Sequence, residues 1–315
     1  MKFSVFQLSR RGARARNEDR IGYCYTREAC LLVLADGMGG HAAGDVAAQI
    51  ALNSVCALFQ ARATPLLDDA PGFLAEALLH AHRQILRHAQ QHHLADAPRT
   101  TLVVALLQQG QAWWIHCGDS RLYLARAGAL LARTRDHSFR AMAERSGQPP
   151  ASVNRNLLFT CLGSPSLPIS DQAGPWPLAR GDRLLLCSDG LWDVLGETEL
   201  LALLAHDPVS LCVPRLVDRA LQHAGASSDN VSAIALEWEM PGAQSAPDSI
   251  STDALEGDAF ESTLQLDAPD LREPAAPKAA PPEPALPEDE LSEAAIERTI
   301  AEINAAIRRP GERRR

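Results

Sequence analysis

Apolar residues along this chain follow two periods. Runs of strand length, either apolar throughout or alternating with polar residues, occupy 3–8, 21–25, 30–35, 102–107, 112–117, 122–125, 183–187 and 231–237. Stretches with apolar positions every third or fourth residue cover 43–62 and 71–93, then 197–205 and 211–224, and predict helices. Several strands follow one another across three-residue links such as Gln108-Gln109-Gly110 and Gly118-Asp119-Ser120. A parallel pair needs a crossover of about a dozen residues, so these links predict antiparallel neighbours. Helices are grouped between blocks of strands instead of alternating with each one. The pattern predicts an α+β sandwich, not a doubly wound parallel sheet.

The pattern stops near residue 240. Residues 241–286 are rich in Pro, Ala and acids and poor in bulky apolar side chains, so they are expected to form a disordered linker. Residues 287–315 favour a short amphipathic helix, with Ile296, Ile300, Ile303 and Ile307 on one stripe and a basic end at Arg308, Arg309, Arg313, Arg314 and Arg315. An isolated helix of that length is marginal in water, so the expectation is docking on a partner protein or back on the domain of residues 1–240, against the alternative of a tail without a role.

Charge and cysteine content narrow the function. A net charge of −9 argues against non-specific nucleic-acid binding, and lysine occurs only at Lys2 and Lys278. Seven cysteines, Cys24, Cys30, Cys56, Cys117, Cys161, Cys187 and Cys212, include no C-x-x-C pair, and several sit inside apolar runs. They are expected to be reduced, buried thiols of a cytoplasmic protein. Arginines at Arg10, Arg11, Arg14 and Arg16 argue against a signal peptide, and no apolar run approaches the roughly 18 residues of a membrane span.

The candidate chemistry lies in carboxylates at strand ends: Asn17-Glu18-Asp19, Ala35-Asp36-Gly37, Gly118-Asp119-Ser120, Ser188-Asp189-Gly190 and Ser228-Asp229-Asn230. A single Asp-Gly is most simply a turn. Five such sites, three of them directly after an apolar run, point to a shared centre. Clustered carboxylates raise one another's pKa, and hard divalent cations such as Mg2+ or Mn2+ remove that cost better than Zn2+ would. The segment Gly37-Met38-Gly39-Gly40-His41-Ala42 also satisfies the loose G-x-G-x-x-G/A pattern of dinucleotide-binding turns. Asp36 would repel a pyrophosphate there, and the acid expected about 20 residues on is missing, since that region reads Ala57-Leu58-Phe59-Gln60.

Read in order, Arg14-x-x-Asn17-Glu18-Asp19, Ala35-Asp36-Gly37-Met38-Gly39-Gly40-His41-x-x-Gly44, Thr100-Thr101, Gly118-Asp119-Ser120-Arg121, Asp136-His137-Ser138, Ser188-Asp189-Gly190-Leu191-Trp192-Asp193 and Asp229-Asn230 resemble the bacterial metal-dependent protein phosphatases of the 2C type. The resemblance covers roughly residues 5–238. It implies a four-layer α-β-β-α sandwich of two mainly antiparallel sheets, acting as a protein serine/threonine phosphatase that opposes a kinase.

The resemblance further implies two Mn2+ or Mg2+ ions held by Asp19, Asp36, Asp189, Asp229 and the Gly37 carbonyl, with Asp36 bridging and Glu18 acting through water. Asp119 with Asp189 would hold a third ion. Arg14 would grip the phosphate, and His41 would be the general acid for the leaving alkoxide. Two ions about 4 Å apart activate water for in-line displacement, so no covalent enzyme intermediate is required. The chain departs from the family at Pro98-Arg99, where a glycine is usual, at Thr160, where an arginine is common, and in a shorter flap over 138–167. These differences bear on substrate choice.

Other signals carry less. His88 and His92, with His80, His82 and His93 nearby, suit a solvated helix face better than a transition-metal site, since no acid or cysteine completes a set. Trp113 and Trp114 face opposite sides of a strand, which favours core packing over a stacking platform. Three function classes follow: an active phosphatase, a catalytically inactive phosphoprotein-binding module of the same fold, and a dinucleotide enzyme. Hydrolysis of p-nitrophenyl phosphate with and without Mn2+ separates them.

Overall fold

The computed structural model describes residues 1–38, 43–146, 157–239, 249–252, 255 and 259–263. In chain order the elements are β1 (Lys2–Arg10), β2 (Arg20–Tyr25), β3 (Ala29–Ala35), α1 (Gly44–Arg62), α2 (Ala70–Gln91), β4 (Leu102–Gln108), β5 (Gln111–Cys117), β6 (Arg121–Arg126), β7 (Ala129–Arg133), α3 (Phe139–Ser146), β8 (Asp171–Pro177), β9 (Arg183–Cys187), α4 (Asp189–Trp192), α5 (Glu197–His206), α6 (Val209–Ala224), β10 (Val231–Glu239), β11 (Ser249–Ser251) and β12 (Glu261–Ser262).

The strands form two six-stranded sheets, β11-β1-β10-β9-β6-β7 and β12-β2-β3-β4-β5-β8, and every pairing is antiparallel. Side-chain alternation along β3 shows how the layers are built. Leu31, Val33 and Ala35 pack beneath α1 and α2, whereas Cys30, Leu32 and Leu34 pack against the other sheet. β4 repeats this, with Leu102, Val104 and Leu106 on the helical side and Val103, Ala105 and Leu107 between the sheets. A strand buried on both faces reads as one continuous apolar run, which is why its sequence does not alternate. Residues from α4, α5 and α6 cover the outer face of the β11-β1-β10-β9-β6-β7 sheet through Tyr123, Leu185, Ala233 and Ala235. Full burial of each large aliphatic side chain stabilises by about 1.5–3 kcal/mol, so three apolar seams hold the four layers together.

Helix α2 starts where the sequence provides a cap: Asp69 accepts a hydrogen bond from the Gly72 amide at 2.9 Å, with Pro71 in the first turn. Trp113 packs on the helical side of its sheet and Trp114 between the sheets, as the strand period requires. All seven cysteines are free and buried. Among the described residues no helix is long and apolar enough to cross a membrane.

The structure corrects the sequence reading in several places: β5 and β6, joined by the short Gly118-Asp119-Ser120 link, are not antiparallel neighbours but lie in different sheets, the link crossing from one to the other. Strands β7 and β8 were not expected. β7 alternates exposed and half-buried residues, and β8 reads Asp-Gln-Ala-Gly-Pro-Trp-Pro, with Gly174 at a φ of 122°. Each borders its sheet and is held by backbone bonding more than by apolar burial. Strands β11 and β12 lie within 241–286, the segment read as a disordered linker. They pair with β1 and β2, and Ile250 and Phe260 reach the apolar seams. The helix expected over 287–315, with its docking, lies outside the described residues. His82, grouped above with a solvated face, is instead 2% exposed and accepts a hydrogen bond from the Gly163 amide at 3.2 Å.

Candidate metal centre

Register places the acidic motifs at one end of both sheets. Arg20 pairs with Ala35, so Asp19 just before β2 and Asp36 just after β3 emerge side by side. Leu102 pairs with Cys117, which brings Thr101 and Asp119 to the same end. In the other sheet Ala233 pairs with Cys187, so Asp229 before β10 and Asp189 after β9 emerge together. Arg14, Arg16, Glu18, Asp36, Gly37, Asp119, Asp189 and Asp229 line one cavity of about 480 Å3. Leu158 closes it from the flap side. Asp19 is 3% exposed.

A mesh of short bonds fixes these groups. The Ser188 hydroxyl donates to Asp19 Oδ2 at 2.9 Å and accepts from the Ser232 amide at 3.0 Å. The carbonyl of Asp36 accepts from the Thr101 amide at 2.8 Å and the Thr100 hydroxyl at 2.9 Å. The Asp36 amide donates to Thr101 Oγ1 at 3.1 Å, which lies 2.7 Å from Ser120 Oγ. Asn230 clamps the first loop: its side-chain oxygen accepts from the Glu18 amide at 2.7 Å, and its Nδ2 donates to the carbonyls of Arg11 at 2.8 Å and Arg16 at 2.9 Å. Gly37 cannot be replaced without movement, since a Cβ there would fall 2.4 Å from the Gly44 carbonyl oxygen.

The electrostatics are those of a site built for cations. Burial, then repulsion from Asp19, Asp189, Asp119 and Asp229, holds the Asp36 carboxyl well above its ordinary pKa. Burial pushes Asp19 up to about 6, against hydrogen bonds from Ser232 and Ser188 that pull it down. Asp119 is pushed up to about 6 by burial and by Asp136, and Asp189 is raised well above its ordinary value by burial, Asp119 and Asp229. Glu18 is raised by burial and then by Asp45. Asp19 Oδ1 is buried and has no hydrogen-bond partner among the described residues. Arg14 Nη2 donates to Asp229 Oδ2 at 2.6 Å.

The structure therefore gathers Arg14, Glu18, Asp19, Asp36, Gly37, Asp119, Asp189 and Asp229 into one place. His41 lies outside the described residues. Sequence reasoning did not single out the Asn230 amide, the Ser188 hydroxyl or the Arg16 side chain. Asn230 adjoins Asp229 and Ser188 adjoins Asp189, but nothing in the sequence shows that they reach back to the first loop and the first strands.

A second group, His116, His137 and Asp171, has ligand atoms within 4.8 Å of one another. Its hydrogen bonds argue against a three-ligand site. The Gly118 amide donates to His137 Nδ1 at 3.2 Å, which leaves the proton on Nε2, facing Asp171 Oδ2 at 3.4 Å. His116 Nε2 faces the Arg135 carbonyl at 2.7 Å, so only its Nδ1 keeps a free lone pair. The rings of His88 and His92 lie 4.3 Å apart, tilted by 39°, and no acid or cysteine completes a set with them among the described residues.

Comparison with known proteins gives a consistent picture. A family model described as Protein phosphatase 2C matches residues 7–220. The chain is 33% identical over 235 residues to the serine/threonine protein phosphatase PstP of Mycobacterium tuberculosis, a match covering 70% of this chain and 42% of that protein, so it spans less than half of that relative. It is 29% identical over 244 residues to the serine/threonine phosphatase stp of Listeria monocytogenes, covering 75% of this chain and 95% of the other. A crystal structure of the PstP catalytic domain in complex with two manganese ions superposes with a TM-score of 0.64 at 31% identity, covering 76% of this chain and 99% of that one.

Proposed function

The chain belongs to the protein phosphatase 2C family, and on that premise we propose that it is a metal-dependent protein serine/threonine phosphatase. It hydrolyses phosphoserine and phosphothreonine in proteins by direct attack of water on phosphorus, and so reverses the action of a protein serine/threonine kinase. The observation that carries this reading is the convergence of Asp19, Asp36, Asp119, Asp189 and Asp229 from one end of both sheets, with a buried, unpartnered oxygen on Asp19. Seven buried free thiols suit a reducing compartment, and we place the protein in the cytoplasm.

The donor set fits Mn2+ or Mg2+. Every described acidic group in the cavity offers hard oxygen, and no thiol or imidazole is among the described lining residues. Asp19, Asp36, Asp189, Asp229 and the Gly37 carbonyl would hold two ions, with Glu18 as an outer contact and Asp119 with Asp189 available to a third. The relative crystallised with two manganese ions supports that assignment. Divalent cations bound there supply Lewis acidity, lowering the pKa of water and offsetting the carboxylate charge.

The chain's own residues do the rest. Arg14, oriented by Asp229, presents a planar fork to the phosphate oxygens. The Ser188 hydroxyl holds the Asp19 carboxylate, the Thr101 hydroxyl holds the Asp36 backbone amide, and Leu158 lines the cavity on the flap side. His41 is the candidate donor of the proton that the leaving alkoxide needs. Hydrolysis of p-nitrophenyl phosphate and of a phosphothreonine peptide by the full chain tests the reading. Turnover is expected with Mn2+ and is abolished by excess EDTA. Rates unchanged by chelation would sink it.

A further inference from the structure

Two arginines line the catalytic cavity, and the structure uses them differently. Arg14 is held inward by its 2.6 Å bond to Asp229. Arg16, two residues on, is exposed, and its side chain makes no hydrogen bond or ion pair among the described residues. Its backbone is nevertheless fixed, because its carbonyl accepts from the same Asn230 amide that positions Glu18. A guanidinium anchored at its root and, among the described residues, without a hydrogen-bond or ion-pair partner at its tip, lining the cavity, is placed to meet an anion that arrives with the substrate.

We propose that Arg16 is a specificity-determining residue, which selects phosphoprotein segments carrying an anionic side chain within two positions of the phosphorylated residue. This rests on the phosphatase reading above. The spacing argues for it: Cα atoms two residues apart are at most about 7 Å apart, and an extended peptide steps the same distance from the phosphoresidue to its second neighbour. With the phosphate at Arg14, that neighbour's side chain lies within reach of Arg16. The competing account is that Arg16 only tempers Glu18, whose pKa its charge pulls down against the effect of burial. Such a role would leave peptide preference untouched.

The test uses the full chain with Mn2+ and phosphothreonine peptides bearing Asp, Lys, Ala or a second phosphoserine two residues from the phosphothreonine. Wild type is expected to favour Asp over Lys by about fivefold to tenfold in kcat/KM, as a partly exposed ion pair allows, and to lose that preference at high salt. The phosphoserine arm shows whether carboxylate or phosphate is the better anion. R16E is expected to invert the Asp/Lys ratio, R16Q to bring it near one and R16K to retain part of it. The same order should appear in peptide affinity, read by fluorescence anisotropy on Asp36→Asn protein without turnover. A wild type that hydrolyses all the peptides at one rate, or a ratio that R16E moves by less than twofold, overturns the assignment and leaves the phosphatase reading standing. If neither the peptides nor p-nitrophenyl phosphate are hydrolysed, the phosphatase reading itself falls, and the Arg16 assignment with it.

Discussion

The Ser188 hydroxyl, just past the end of β9, donates to Oδ2 of Asp19, just before β2, at 2.9 Å, and so joins one sheet to the other beneath the acidic cavity. These residues are 169 positions apart in sequence. Ser188 also accepts from the Ser232 amide, and Asp19 is the nearer acceptor for its proton, the Asn230 carbonyl lying 3.5 Å away. Ser188→Ala should therefore loosen Asp19 more than it loosens the fold. Calorimetric titration is expected to show Mn2+ affinity weakened by about tenfold to a hundredfold. Stability should fall by only about 1–2 kcal/mol. Unchanged affinity would mean that Asp19 is positioned by other contacts.

Asp36 and Arg14 separate metal binding from phosphate binding. On the proposed mechanism Asp36→Asn should cut turnover by several orders of magnitude, since activation of water by bound cations would be the main catalytic device. Arg14→Ala should lower kcat/KM by about 2–4 kcal/mol of lost charge-assisted contact. From the sequence alone Arg14 serves only the substrate, but its bond to Asp229 adds a modest effect on the metal, expected to stay below tenfold. Collapse of Mn2+ binding in Arg14→Ala would reassign it to the metal site.

Much of this arrangement was legible in the sequence. β3 and β4 are buried on both faces and read as uninterrupted apolar runs, so Asp36 and Thr101 at their ends could be placed. Asp119 and Asp189 follow β5 and β9 in the same way. The border strands β7, β8, β11 and β12 were not legible, because backbone pairing needs no particular side chain and β8 contains glycine and two prolines. Nor were the long-range clamps, in which Asn230 reaches Glu18 and Ser188 reaches Asp19. Local pattern says nothing about which distant polar groups will meet.

The elevated carboxyls predict a particular pH dependence. Asp19 and Asp119 titrate near 6 in the folded chain, against about 4 unfolded. A carboxyl raised on folding keeps its proton in the native state, so its stabilisation is complete below about pH 4 and is lost as pH rises through about 6. Each contributes at most about 3 kcal/mol. Without metal the protein should lose that stability across the window, and Mn2+ should replace the protons. Burial lowers His82, His116 and His137, which act in the opposite sense but equally with and without metal. The Tm difference between Mn2+ and EDTA is therefore expected to widen from pH 5 to pH 7.5. A constant difference would contradict the carboxylate assignment.

The strands beyond residue 240 predict where the chain can be shortened. β11 pairs with β1 at Lys2–Ser4, Thr252 bonds to Met1, and Ile250 packs into the seam between the sheets. β12 pairs with β2 at Cys24 and Tyr25, and Phe260 lies 6.2 Å from Phe59. A chain ending at 240 loses both contacts and leaves two sheet edges open to pairing with other molecules. Two partly buried apolar side chains suggest a cost of about 3 kcal/mol, or roughly 10 °C in Tm for a domain of this size. A chain ending at 263 keeps both and should melt with the full protein. Turnover of p-nitrophenyl phosphate below the melting range should be alike in all three. β11 and β12 bind the ends of β1 and β2 away from Arg10 and Arg20, whereas the acidic cavity lies at the Arg10 and Arg20 ends. If the two shortened chains melt together, β11 and β12 contribute nothing to the fold.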